Sequence, residues 1–229
     1  MKIGGLQKVS LIDYPGLICA IVFLQGCNFK CSYCHNPELV NPKLFQPCIK
    51  ENDVLEFLNA RRGKLDAVTI TGGEPTIQDD LAPFIKQIRK MGFAVKLDTN
   101  GSQPQVIKAL LDEGLLDFIA MDIKGPLEKY IDIAGVTVAG EKIKESIKRI
   151  LKAKIPHEFR TTIVQSQLTQ KDILQIASMI GGARKYALQK FVGVKTLNKK
   201  FLQEKTWPDD ELEKIKKRLE KEITSVIVR

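Results

Sequence analysis

No stretch of this 229-residue sequence approaches the roughly 18 uninterrupted apolar residues that a membrane-spanning helix requires. Its start, MKIGGLQKVSLIDYPG, has neither the continuous apolar run nor the small-residue cleavage site of an export signal, so a cytoplasmic protein with no membrane partner is expected. Gly/Ser-rich linkers, low-complexity tracts and internal repeats are missing too, which leaves a single domain over residues 1–229 as the expectation. That length suits one α/β barrel, which commonly takes roughly 200–250 residues. Nor is there a basic run interleaved with aromatics, although the net charge is +9. The lysines sit beside Glu and Asp along helical stretches, so the excess is expected on a solvated face and not against nucleic acid. A disulfide framework is excluded in turn, because the cysteines number five and three are bunched together.

What is present is an alternation of short apolar runs with helix-period segments, the pattern of parallel strands joined by crossover helices. The fold class is therefore α/β. Strands are expected at Ile18 to Gln25, Ala67 to Thr71, Ala94 to Asp98, Phe118 to Ile123, Glu158 to Ile163 and Tyr186 to Phe191. Helices are expected at Glu51 to Ala60, Leu81 to Met91, Pro104 to Glu113, Glu141 to Ala153 and Lys171 to Ile180. Pro104 at a first helical position, and Gly92 and Gly114 just past helix ends, follow the usual start and stop signals. Residues 17–192 would form the barrel core, with a C-terminal helix and short strand over about residues 208–228. The stretch Lys124 to Gly140 carries no clear pattern. Ligands of parallel sheets and barrels gather at the carboxyl ends of strands, so chemistry is sought just after each expected strand.

After the first lies GCNFKCSYCH, with Cys27, Cys31 and Cys34 at i, i+4 and i+7. Three thiolates on so short a loop can wrap one face of a cuboidal iron-sulfur cluster, while backbone N–H groups offset its negative charge. No local cysteine is left for the fourth iron, which would keep that position open for a substrate. The alternatives are three unligated thiols, or a zinc site completed by His35 or Cys48, although only Cys31 and Cys34 have zinc-like C-x2-C spacing. Cys19, inside an apolar strand, is expected to be a buried inert thiol, and Cys48 to be incidental.

The second strand ends in TGGEP, where Gly72 and Gly73 permit close backbone approach and Glu74 adds a carboxylate. The third ends in DTNG and the fourth in MDIKG, placing Asp98, Thr99, Asp122 and Lys124 at adjacent strand tips. The two aspartates offer ligands for a monovalent or divalent cation or for polar groups of a cosubstrate; helix capping is the alternative. Arg160 lies inside the fifth strand, where a charge needs a partner, and Glu74 is one expectation. His157 is expected to be structural.

C-x3-C-x2-C with an aromatic before the last cysteine resembles the signature of radical S-adenosylmethionine enzymes. SLIDYPG, TGGEP, DTNG and MDIKG extend the likeness from about Lys2 to Phe191, nearest to activating proteins of the anaerobic ribonucleotide reductase type and to pyruvate formate-lyase activating enzymes. The resemblance implies a partial (β/α)6 barrel and one 4Fe-4S cluster on Cys27, Cys31 and Cys34. It also implies S-adenosylmethionine held by Tyr33, Gly72, Gly73, Glu74, Asp98, Thr99, Asp122, Lys124 and Arg160. Tyr33 would pack on adenine and the GGEP turn would hold the ammonium group. The implied partners are a glycyl radical protein, anaerobic ribonucleotide reductase foremost, and a flavodoxin- or ferredoxin-like electron donor. The larger activases carry additional cysteine clusters, and none occurs in this sequence. Two rivals stand beside this reading: a radical enzyme acting on a small molecule or nucleoside precursor, and a non-catalytic iron-sulfur module.

Overall fold

The computed structural model describes all residues, 1–229. In chain order the elements are β1 (Ile3–Ser10), β2 (Cys19–Leu24), α1 (Pro37–Val40), α2 (Glu51–Ala60), β3 (Ala67–Gly72), α3 (Leu81–Lys90), β4 (Ala94–Thr99) and α4 (Pro104–Asp112). There follow β5 (Phe118–Asp122), α5 (Tyr130–Ala134), α6 (Gly140–Lys152), β6 (His157–Ile163), α7 (Gln170–Met179), β7 (Tyr186–Lys190), α8 (Asp209–Leu219) and β8 (Val226–Val228).

The strands form one eight-stranded sheet in sequence order. All neighbours from β2 to β8 are parallel, whereas β1 runs antiparallel to β2. β1 and β8 are the two edges and do not pair with each other, so the barrel stays open. The six expected strands are present to within a residue or two, and the unexpected one is β1. Only Ile3 and Ser10 of its eight residues are buried, and its register shifts twice against β2. Neither period-2 alternation nor a long apolar run marks such an edge strand.

The helices form because their apolar residues recur on one face. In α6, Ile143, Ser146, Ile147 and Ile150 are buried while lysines occupy the other side. Thr169 opens α7 with a reciprocal capping box, its side chain accepting from the Asp172 N–H while Asp172 accepts from the Thr169 N–H. The helices pack on the outer face of the sheet around a core that includes Val95, Leu97, Ile119, Met121 and Phe159. Side chains one residue out of step point to the opposite face. There Tyr14, Cys19, Ile21, Ala67, Phe118 and Ala120 form a second, smaller apolar group. Tyr14 meets Phe118 edge-on with ring centres 5.9 Å apart. These residues sit toward the N-terminal ends of the parallel strands, so the inner face is free for polar groups at the C-terminal ends.

Candidate active site

The loop between β2 and α1 carries the three cysteines and is tied down from several sides. Gly26 N–H donates to Leu39 O at 2.8 Å, and Lys30 N–H donates to Ala134 O at the end of α5 at 2.7 Å. From the segment after β7, Leu197 N–H donates to Cys34 O and Asn198 N–H to Ser32 O, both at 3.0 Å. Asn28 bridges to the turn after β4, donating to Ser102 Oγ at 2.8 Å and accepting from Asn100 Nδ2 at 2.9 Å.

The glycines of the TGGEP turn serve this loop. Gly72 has φ +117°, and a Cβ there would lie 2.3 Å from Leu24 N. A Cβ on Gly73 would lie 1.9 Å from Gly26 O, immediately before Cys27. Both positions exclude side chains because two backbones touch there, a reason that differs from the expected approach of a ligand. Glu74 N–H donates to Gly26 O at 2.8 Å and completes the junction.

Cys27, Cys31 and Cys34 line one cavity of about 190 Å³. Tyr33, Gly72, Gly73 and Glu74 share its wall, as do Asp98, Thr99, Asp122 and Lys124. Burial pushes all three thiols above their ordinary range, Cys27 to about 12 with help from the Glu74 carboxylate. Such thiols become thiolates when a bound cation compensates them, which is the behaviour of metal ligands. Phe29 N–H already donates to Cys27 Sγ at 3.4 Å. The Tyr33 hydroxyl is buried and has no hydrogen-bond partner, an unmet polar group on a residue of the cavity wall. A three-thiol loop beside a cavity with unsatisfied polarity fits an iron-sulfur cluster with one exchangeable position and a polar ligand next to it.

Glu74 faces inward. Its carboxylate accepts from Thr76 N–H at 3.1 Å, Thr99 Oγ1 at 2.7 Å and Asn100 N–H at 2.6 Å. Burial raises its pKa although these donors oppose the shift. Glu74 therefore fastens the turn after β3 to the turn after β4.

Beneath the cavity lies a charged layer set by the strand register. Asp122 of β5 is opposite Arg160 of β6. Arg160 Nε donates to Asp122 Oδ1 at 2.7 Å, and its Nη1 donates to Asp98 Oδ2 at 3.0 Å. Lys96 Nζ donates to Asp98 at 2.5 Å, and Lys124 Nζ reaches Asp122 at 3.4 Å. Arg160 thus pairs with the two aspartates and not with Glu74, a correction whose cause is register: the aspartates occupy adjacent inward positions, while the Glu74 oxygens are already taken. Burial alone would raise Asp98 and Asp122, but Arg160 with Lys96 and Lys124 outweighs it and holds both below the ordinary range. Lys124 Nζ also stands 5.9 Å from the centre of the Tyr33 ring.

Elsewhere, Cys19 is fully buried and its sulfur accepts from Thr69 Oγ1 at 3.7 Å, away from the cavity. Cys48 is exposed and donates to Gln25 Oε1 at 3.4 Å. His157 is buried beside Phe159 with ring centres 5.9 Å apart. Sequence reasoning missed Lys96, Asn28, Asn100 and the α5 terminus as supports. Asn28 and Asn100 lie inside the CNFKC and DTNG motifs, and that was their available signal. Lys96 and Ala134 had none, because their contacts join distant parts of the chain.

Residues 21–180 match the family model described as "Radical SAM superfamily". A Methanocaldococcus jannaschii protein bearing the name of a glycyl-radical enzyme activating enzyme is 35% identical, over 99% of this chain and 95% of its own. The pyruvate formate-lyase-activating enzyme of Clostridium pasteurianum is 27% identical, over 99% of this chain and 98% of its own. Among solved structures, Streptococcus suis SuiB bound to precursor peptide SuiA superposes with a TM-score of 0.72 at 12% identity, covering 91% of this chain and 48% of that one. That likeness concerns the fold, and the chain corresponds to about half of SuiB.

Proposed function

The chain belongs to the radical SAM superfamily, and on that footing we propose that it uses one 4Fe-4S cluster and S-adenosylmethionine to place a radical on a glycine of a partner protein. The observation that carries this reading is the meeting of Cys27, Cys31 and Cys34 with the ends of β3, β4 and β5 on one cavity. End-to-end similarity to two chains named as glycyl radical activators supports it.

In this reading the three thiolates hold the cluster. Held there and reduced, such a cluster would supply the electron for reductive cleavage of a sulfur–carbon bond of S-adenosylmethionine, to methionine and a 5′-deoxyadenosyl radical able to take a hydrogen atom. Tyr33 would lie against the adenine, where its unpartnered hydroxyl would gain a polar neighbour. Gly72 and Gly73 hold the turn against the cysteine loop, and Glu74 fixes that turn to Thr99 and Asn100. Asp98, Thr99, Asp122 and Lys124 line the same cavity and would face the polar end of the cosubstrate. Arg160 is a positioning residue that orients both aspartates from below. Arg160, Lys96 and Lys124 supply the positive charge beside Asp98 and Asp122, so no separate cation is needed there.

The glycine-bearing partner is read as anaerobic ribonucleotide reductase, on the strength of the SLIDYPG, TGGEP and MDIKG segments, and the electron donor as a flavodoxin- or ferredoxin-like protein. The test is anaerobic: reduced, reconstituted protein is mixed with S-adenosylmethionine and the candidate reductase. A glycyl radical signal in electron paramagnetic resonance, with 5′-deoxyadenosine formed in step, is expected. Deoxyadenosine without a radical on any candidate would favour a small-molecule substrate, and neither product would overturn the reading.

A further inference from the structure

The segment leaving β7, residues 191–205, runs over the cysteine loop and joins it by two backbone hydrogen bonds, Leu197 N–H to Cys34 O and Asn198 N–H to Ser32 O. His35, next to Cys34, stacks on Phe191 with ring centres 5.4 Å apart and planes 8° from parallel, and its Nε2 lies 2.9 Å from Val192 O. This segment is therefore an outer wall of the thiol-bearing loop.

Its outer surface is unusual for this molecule. Val192 is 57% exposed, Val194 78% and Leu202 42%. They lie close together along the chain, since Val192 and Val194 flank Gly193, and a Cβ on Gly193 would stand 2.5 Å from the Leu202 carbonyl oxygen. Around the patch, Lys199, Lys200 and Lys205 are exposed without an ion-pair partner, while Lys195 pairs with Glu38 at 2.7 Å. Glu204 is the one acidic residue between 191 and 205, and it is half-buried. An apolar centre with a rim whose unpaired charges are all positive has the anatomy of a transient docking face, in which the rim guides encounter and the centre holds contact. The remaining exposed large apolar side chains lie elsewhere: Val9, Leu11, Ile12 and Ile18 at and around the β1–β2 loop, Leu44 after α1 and Ile131 on α5.

We infer that this patch receives an acidic one-electron donor protein, whose redox group is thereby brought against the wall nearest Cys34. The inference rests on the proposed radical chemistry. The unpaired lysines favour a negatively charged partner, and the Leu197 and Asn198 hydrogen bonds join this face directly to the backbone of the thiol loop. The glycine-bearing partner must instead reach the reacting carbon of the cosubstrate, inside the cavity.

The test uses the reconstituted enzyme and a flavodoxin as probe, with variants Lys199→Glu/Lys200→Glu and Val194→Asp. Affinity for flavodoxin is expected to fall about tenfold or more in each variant, and wild-type affinity to fall with added salt. Flavodoxin-driven formation of 5′-deoxyadenosine should drop in parallel, while the dithionite-driven rate stays at the wild-type level. Unchanged flavodoxin affinity in both variants would overturn the inference. So would equal losses with dithionite and flavodoxin, since the patch would then support the site itself. If wild-type enzyme binds flavodoxin in a lysine-dependent way yet cleaves no S-adenosylmethionine with dithionite, the docking inference stands and the proposed radical chemistry fails.

Discussion

At the N-terminal end of the parallel strands, Tyr14, Cys19, Ile21, Ala67, Phe118 and Ala120 pack in apolar contact beside the buried Glu158, which pairs with Arg229, whereas at the C-terminal end the same sheet presents thiols, carboxylates and cations around the cavity. Two cysteines make the contrast sharp. Cys19 and Cys31 are both buried, yet Cys19 is sealed between packed side chains and Cys31 faces a cavity. Burial alone does not separate an inert thiol from a candidate ligand; what lies on its free side does. Barrel folds in general keep stability at the bottom and chemistry at the top, and the Asp98–Arg160–Asp122 layer marks the boundary in this one.

The largest break in that contrast comes from exchanging cysteines. Cys31→Ala is expected to lose the iron-sulfur absorbance and all detectable S-adenosylmethionine cleavage. Cys19→Ala should keep both and lose only modest stability. Iron content and deoxyadenosine formation check the pair, and an inactive but stable Cys19→Ala protein would show that the bottom of the barrel takes part in chemistry.

Next comes the boundary layer. Arg160→Leu removes the guanidinium shared by two buried carboxylates and is expected to cost about 3–4 kcal/mol in urea unfolding, the low end for a broken buried pair because Lys96 and Lys124 remain. Phe118→Ala, at the floor, should cost about 3 kcal/mol by opening a cavity. The two are distinguished by activity: folded Phe118→Ala should cleave S-adenosylmethionine normally, whereas Arg160→Leu should bind it weakly.

Acid titration sharpens the same boundary. Asp98 and Asp122 are held below their unfolded values, so the stability they contribute is complete above about pH 4 and is lost as pH falls through their native values. The wild type should therefore lose stability steeply below pH 4. In Arg160→Leu, protonation relieves carboxylates that have lost their partner, so its deficit relative to wild type should shrink by about 1–2 kcal/mol on acidification. A deficit independent of pH would mean that Arg160 acts through packing.

The two ends also differ in how far the sequence exposes them. The parallel strands, the cysteine loop and the strand-tip motifs lie in contiguous residues, and β2 to β7 emerge within a residue or two of expectation. β1 is not legible, because Gly4, Gly5 and Lys8 interrupt its pattern and its partner supplies the pairing. The Arg160 pairs join positions 38 and 62 residues apart, and they follow from inter-strand register, which no local motif encodes. Residue types identified the three thiols, but the tasks of Gly73 and Glu74 depend on which backbone happens to lie next to them.

Tyr33 offers the smallest and most discriminating effect. Its ring is buried against the cavity wall and its hydroxyl lacks a partner, an arrangement that costs free energy until something polar arrives. Tyr33→Phe should therefore stabilise the cluster-free protein by about 1 kcal/mol, opposite in sign to most core substitutions. The same change should weaken S-adenosylmethionine binding to the reconstituted enzyme by about tenfold, because the hydroxyl's unmet hydrogen bond would be made to the ligand. Parallel chemical unfolding and ligand titration separate the two effects. If Tyr33→Phe destabilises the cluster-free protein and leaves affinity unchanged, the hydroxyl has a partner within the fold, and the top of the barrel is closed more like the bottom.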